Sequence, residues 1–422
     1  MIPPIESGII FVEVRMKDWD ISDGLEIVCK CGKVHGSITK RVLVGDDAVM
    51  QLVDECKKLL YDGWVAVCYA QDCMQYADKV STLLTDGGYV VHKVCFPSDT
   101  VACLEGATDL IEMQEMVRLI VAVGGGSIAR LARYASTIRH NPCVHVMTCT
   151  TTADILSATC FGDKSVNPPS CVIFDPRFAK QTSRLLASGY GEICSTVLKN
   201  VDVRWAVRVG ENGSCPYLLQ QVEEVVREYI DEFKYCENKD MLTAKTLLII
   251  GLLNQMIEQE ITPCDRCVQL LEGVADVEPA PWGINAMIFA STMLGWYKAA
   301  LKSPSNYMRV GLDRMSTTIG TCQSLGLDGV RVTIAQGKLK YKRQWAWMMR
   351  EYKEDLADEA LLAHTSLMRC MRQFRRIFDD AGYFLADYID SDRVLKIAEA
   401  SLVVSPRYTI PVLLAEDGIL LE

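Results

Sequence analysis

Three consecutive glycines, Gly124, Gly125 and Gly126, precede Ser127 and separate the apolar run RLIVAV (118–123) from the helix-like segment IARLARYA (128–135). A strand, a turn without Cβ atoms and a helix, in that order, make a phosphate-binding arrangement. The bare backbone lets N–H groups close on an anion, and the positive end of the helix faces the same charge. The run is not the G-x-G-x-x-G fingerprint, and a plain strand-to-helix turn uses the same residues. A second polar stretch, TCTTTADILSATCFGDKS (148–165), follows the next apolar run and carries Thr150, Thr151 and Thr152. Hydroxyls at the carboxyl edge of a sheet hold a ribose or a phosphate; a threonine-rich helix cap is the alternative. Lys164 in the same stretch is a candidate substrate-facing cation. A third group, Cys29, Cys31 and His35 in CKCGKVH (29–35), offers three soft metal ligands. Gly32 among them favours instead a turn joining two strands, and the sequence identifies no fourth ligand.

These residues need a sheet to position them. WVAVCYA (64–70), GGYVVHKVCF (87–96), RLIVAV (118–123), VHVMTC (144–149) and CVIFD (171–175) read as short buried strands, with helical segments between them that include Ala107–Met116. Such alternation predicts a doubly wound, mostly parallel sheet over residues 1–178, with helices covering both faces. From about Pro176 helical periodicities take over, at 185–209, 218–235, 242–260, 284–301 and 344–371. They predict an all-α second domain over 179–422. The segment 302–343 has few features that can be placed. A cleft between an α/β domain and a helical domain is the default ligand site.

Composition narrows the function classes. Of 422 residues, 50% are hydrophobic and 23% charged, which is the balance of a folded chain rather than a disordered one. A net charge of -10 argues against nucleic acid as a partner and leaves a small, even anionic, substrate open. The first ten residues, MIPPIESGII, lack the pattern of a signal peptide, and LLIIGLL (247–253) is too short to span a bilayer, so a cytoplasmic location is expected. The 18 cysteines are scattered through apolar segments and read mostly as reduced core residues. Oligomeric state is left open, a homo-oligomer included.

VAVGGGSIARLARYA (121–135) resembles the GGGS-x-x-D-x-x-K segment of the dehydroquinate synthase-like and iron-containing alcohol dehydrogenase superfamily. CKCGKVH, ASGYGEICSTVLKNVDVRWA (187–206) and RYTIPVLLAEDGILLE (407–422) are similar to elements of its sn-glycerol-1-phosphate dehydrogenase branch. The resemblance implies a nucleotide-binding α/β domain followed by a helical one. It also implies an oxidoreductase using NAD or NADP on a small polyol or polyol phosphate. In that family a zinc or iron ion in the cleft polarises the substrate oxygen while hydride moves to or from the nicotinamide. Carried over, Gly124, Gly125, Gly126 and Ser127 meet the pyrophosphate, and Thr151 and Thr152 lie near the nicotinamide end.

The departures from the family fall on its chemistry. Arg130 stands where the family has Asp, and Leu156 stands in place of a metal-ligand Asp. The first ligand histidine is replaced by Asp265 or Gln269 and the second by Trp282, and no histidine occurs between 146 and 363. Glu192 matches a metal-ligand Glu of dehydroquinate synthases. Glu192 and Asp265 are together short of the three ligands zinc wants, though a magnesium or manganese site of carboxylates and water stays open. A dehydrogenase without metal needs Lys164 or Arg130 as electrophile, and Arg130 also suits a phosphate fork. Two other functions fit the same departures: a nucleotide-binding relative without catalysis, and a carbocycle-forming lyase, the latter suggested by Glu192 and Lys164.

Overall fold

A computed structural model describes residues 19–100, 102–151, 154–160, 164–179, 182–208, 215–260, 282–302 and 338–380. A small antiparallel hairpin, β1 (Glu26–Val28) and β2 (Val34–Gly36), stands apart from the main sheet. β3 (Arg41–Val44), α1 (Leu52–Leu59), β4 (Gly63–Ala70), α2 (Met74–Asp86) and β5 (Tyr89–Phe96) follow. Then come α3 (Thr108–Ile111), β6 (Val117–Gly124), α4 (Gly126–Arg139) and β7 (Cys143–Met147). The short pair β8 (Thr159–Cys160) and β9 (Lys164–Ser165) precedes β10 (Cys171–Phe174). The helical part comprises α5 (Ser183–Arg208), α6 (Pro216–Phe233), α7 (Lys239–Glu260) and the helices Trp282–Lys302 and Lys338–Asp380.

Six parallel strands form the main sheet in the order β3-β10-β7-β6-β4-β5. Five of them are the strands read from the sequence. β3 is an addition: four residues, RVLV, are too few to show a period, and the strand is placed by pairing with β10. The segment 107–116 holds less helix than expected: α3 ends at Ile111, and residues 112–116 turn the chain into β6.

Side chains alternate across the strands and decide which helix covers which face. Val65, Val67 and Tyr69 of β4 and Leu119, Val121 and Val123 of β6 pack with Tyr76, Ala77, Val80 and Leu84 of α2. The intervening Ala66 and Cys68, with Ile120 and Ala122, pack with Ile128, Leu131, Ala132 and Ala135 of α4. Helices α2 and α4 therefore lie on opposite faces, and β4 and β6 are apolar on both faces over residues 65–69 and 119–123.

The helical part is built on close backbone contacts. A Cβ on Gly191 would strike the Gly283 carbonyl, one on Gly283 the Ser188 carbonyl, and one on Gly189 the Thr150 carbonyl. The ASGYG run is thus the place where α5 touches both the helix Trp282–Lys302 and the loop after β7. In α6, Leu218, Leu219, Val222, Val225, Val226, Tyr229 and Phe233 are buried at helical spacing, and Pro216 sits at the first turn, where its missing N–H costs nothing. Gln255 of α7 joins the two halves. It accepts from the Ile38 and Thr39 N–H groups at 2.8 and 3.1 Å and donates to Thr39 Oγ1 at 2.9 Å and the Leu156 carbonyl at 2.6 Å. Lys239–Ile257 is long and apolar enough to cross a membrane, but 72% of it is buried inside the fold, as in a core helix.

Candidate functional site

The order of the strands creates a crevice. From β4 the chain moves outward to β5, and from β6 it moves the other way, to β7 and β10. With α2 and α4 on opposite faces, the carboxyl ends of the adjacent strands β4 and β6 part at a topological switch point, where open α/β sheets bind ligands. A cleft of about 790 Å³ lies there. Asp72 and Cys73 reach it from the end of β4, Ser98 and Thr100 from beyond β5, and the start of α5 closes it with Arg184.

Gly125, Gly126 and Ser127 line this cleft. α4 starts at Gly126; its cap, Gly125, offers no side-chain hydrogen bond, and no acidic residue sits in its first turn. The first N–H groups of a helix have no partner within it, so this end presents donors and a positive dipole to an anion. Side chains also come close to these glycines. A Cβ on Gly125 would lie 2.9 Å from Cys149 Sγ, and one on Gly124 would lie 3.0 Å from two Ile128 atoms. Gly124 itself ends β6, and its carbonyl accepts from the Thr148 N–H at 3.2 Å, which carries the β6–β7 pairing up to the cleft.

The threonine stretch divides. Thr148 and Thr151 line the cleft, whereas Thr150 is fully buried under Gly189 of α5. Thr152 lies outside the described residues. Thr151 Oγ1 is 3.3 Å from Cys149 Sγ, and burial pushes the Cys149 thiol up to about 11, so this sulfur stays protonated at neutral pH. That state is wrong for a nucleophile.

Arg130 does not reach the cleft lining. It is 8% exposed, and its Nε donates to Asp154 Oδ2 at 2.8 Å. Arg133, on the next turn, donates to the same oxygen at 3.2 Å and to the Ser157 carbonyl at 2.5 Å. Burial pushes the Asp154 carboxyl upward, but the two guanidinium groups outweigh it and hold the group below the ordinary carboxylate value. Two helical arginines thus seat the loop after β7 against α4. The backbone of Lys164 lies in β9, away from the switch-point strands in sequence; its side chain lies outside the described residues.

Of the described positions that the resemblance assigns to a catalytic ion, Leu156 and Trp282 carry no metal donor. Leu156 is fully buried and sits in the apolar cluster with Ile155 and Val172. Trp282 opens its helix half-buried and offers no metal donor. Glu192 is buried in α5, with its backbone nitrogen beside Gly283. Asp265 lies outside the described residues. Among the described residues, the metal-type side chains that do come together are Cys29, Cys31, His35 and Cys215, in a different part of the molecule.

No protein-family model matches the sequence, and no curated protein sequence matches it. Solved structures do match in shape. An iron-containing alcohol dehydrogenase from Thermotoga maritima superposes with a TM-score of 0.55 at 12% identity, covering 91% of this chain and 97% of that one. The fold is that of the iron-containing alcohol dehydrogenases. An NADH-dependent butanol dehydrogenase A from the same organism gives a TM-score of 0.51 at 12% identity, over 89% of this chain and 92% of that one. An archaeal halo-thermophilic alcohol dehydrogenase from a Red Sea brine pool gives 0.55 at 13%, over 92% and 97%.

Asp72, Cys73, Ser98, Thr100 and Arg184 are among the cleft residues that sequence reading missed. The signal for the first was present: Asp72 follows a buried strand by two residues, where a doubly wound sheet exposes its carboxyl edge. Which strand neighbours which was needed to use it.

Proposed function

We propose that this protein is an NAD-dependent oxidoreductase acting on a small polyol or polyol phosphate, with the dinucleotide seated in the switch-point cleft. The observation that carries this reading is the pairing, across β4 and β6, of the glycine-capped start of α4 with Asp72. When bound, the dinucleotide supplies hydride transfer at its nicotinamide ring. Gly125, Gly126 and Ser127 hold the pyrophosphate. Asp72, at the end of the neighbouring strand, accepts from the ribose hydroxyls and repels a 2′-phosphate, so NADH is taken in preference to NADPH. Thr148 and Thr151 orient the nicotinamide half. Arg184 is the one cation among the described lining residues, and it takes the task expected of Arg130 and Lys164: holding a substrate phosphate or the developing alkoxide.

Titration with NADH and NADPH, followed by nicotinamide fluorescence, tests the reading. Saturable NADH binding, about tenfold or more weaker in Gly125→Ala, is expected, with NADPH gaining on NADH in Asp72→Ser. Reduction of dihydroxyacetone phosphate, followed by NADH absorbance, then tests catalysis, and Arg184→Ala is expected to raise KM for the phosphorylated substrate. If neither cofactor binds, the oxidoreductase reading fails. Binding without turnover of either dihydroxyacetone or its phosphate favours the second reading, a nucleotide-binding relative without catalysis. The burial of Leu156 in the core is the specific observation on that side.

A further inference from the structure

We propose that Cys29, Cys31, His35 and Cys215 form a structural zinc site that ties the β1–β2 hairpin to the start of α6. The four donor atoms all lie within 4.8 Å of one another. Cys29 Sγ is 3.4 Å from Cys215 Sγ, and Cys31 Sγ is 3.2 Å from His35 Nε2. Zn–S bonds of about 2.3 Å and Zn–N bonds of about 2.0 Å, set tetrahedrally, require ligand atoms roughly 3.5–3.8 Å apart, so the cluster closes on an ion with small movements. The donors are three sulfurs and one imidazole nitrogen, a soft set that suits zinc and not magnesium or calcium. All four positions come from the protein, which is the closed arrangement of a structural site.

The local backbone is shaped for this. The Cys29 N–H bonds the Lys33 carbonyl at 2.9 Å, and the Gly32 N–H bonds the Cys29 carbonyl at 3.0 Å, which folds the C-x-C-G turn back on itself. Gly32 has a φ of 83°, open only to glycine without strain, and the Cys31 N–H points at Cys29 Sγ from 3.5 Å. Cys215 is the N-cap of the 18-residue helix α6, which fixes its sulfur beside the hairpin turn. Cys29, His35 and Cys215 are buried, while Cys31 closes the site from outside.

The hairpin also needs a staple. Its strands are three residues each, Val28 and Val34 are 84% and 61% exposed, and its apolar burial is confined to Leu25, Ile27 and Cys29. A metal joining residues 186 apart in sequence supplies what the hairpin's own core lacks. None of the four ligands lines the switch-point cleft, so the site is separate from the proposed chemistry. The turn read from the sequence and the metal site are the same object; Cys215 is the fourth ligand that the sequence did not identify.

Zinc content of the reduced, purified chain tests the proposal by elemental analysis, alongside cobalt replacement and thermal unfolding. The expected result is about one zinc per chain, falling below a tenth in Cys31→Ser and in Cys215→Ser, and retained in Cys31→His, which keeps four ligands. Removal of the metal by a strong chelator should lower the melting temperature of the wild type and leave that of Cys31→Ser unchanged. Should Cys215→Ser fail to fold, the cobalt form of the wild type still decides. Near-ultraviolet thiolate-to-cobalt charge transfer with intense tetrahedral visible bands supports the site. Zinc that persists in Cys31→Ser, a chain that takes up none when grown with zinc, or a Cys29–Cys215 disulfide in freshly alkylated protein overturns it. These readouts do not depend on NADH binding or turnover, so this proposal and the oxidoreductase reading fail independently.

Discussion

His145 sits in the middle of β7 with 1% of its surface exposed, and among the described residues neither ring nitrogen has a hydrogen-bond partner. Burial disfavours its charged form, the Arg133 guanidinium adds to that, and together they push the imidazole down from 6.5 to about 3. The sign follows from linkage. Between pH 6.5 and 3 the unfolded chain takes up a proton that the folded chain refuses, so stability falls as the pH drops through that window and is fully present above it. At one pKa unit per 1.36 kcal/mol, the wild type loses about 1.4 kcal/mol by pH 5.5 and about 2.7 kcal/mol by pH 4.5 from this group alone. Other groups titrate there too, and replacement of His145 isolates its share. His145→Leu keeps the volume and removes both the titration and the buried ring nitrogens. Urea unfolding, followed by circular dichroism at a series of pH values, is expected to show little difference in the response to pH above pH 7. Below it the wild type should lose stability faster, by about 2.7 kcal/mol relative to the variant at pH 4.5. Parallel pH profiles for the two proteins would refute the reasoning, because they would mean that His145 is protonated without penalty inside the sheet.

Three other outcomes follow from contacts already described. Asp154→Ala leaves Arg130 and Arg133 beside each other without their shared carboxylate, and should lower unfolding free energy by about 3–5 kcal/mol, measurable by the same urea titration. Gly283→Ala places a methyl group on the Ser188 carbonyl where two helices touch, so soluble yield and melting temperature should both fall sharply. Gly125→Ala presses only on Cys149 and Thr151 at the cleft rim, so its melting temperature should stay near the wild type while NADH binding weakens about tenfold. A large loss of stability in that variant would show that the glycine serves the turn rather than the ligand.

The framework was legible because it is written locally. Val65 to Tyr69 is an unbroken apolar run of strand length, and Leu218, Val222, Val225 and Tyr229 is a helical period; each can be read without knowing what it faces. The glycine turn was equally legible, since Gly124 to Ser127 join the end of a strand to the start of a helix. The short strand β3 was not, because four residues carry too little pattern and its place comes from β10.

What the sequence determined by itself was five of the six sheet strands, the long helices, their order, and the turn that offers its amide groups to an anion. Tertiary structure alone decided the rest. It brought Asp72, from the end of β4, and Arg184, from the start of α5, to one cleft. It engaged Arg130 with Asp154, and it delivered Cys215 to a turn 186 residues away. Backbone period and steric preference act over a few residues and leave their mark in composition. Long-range pairings arise only when buried faces dock, and the side chains that meet there carry no local sign of their partners.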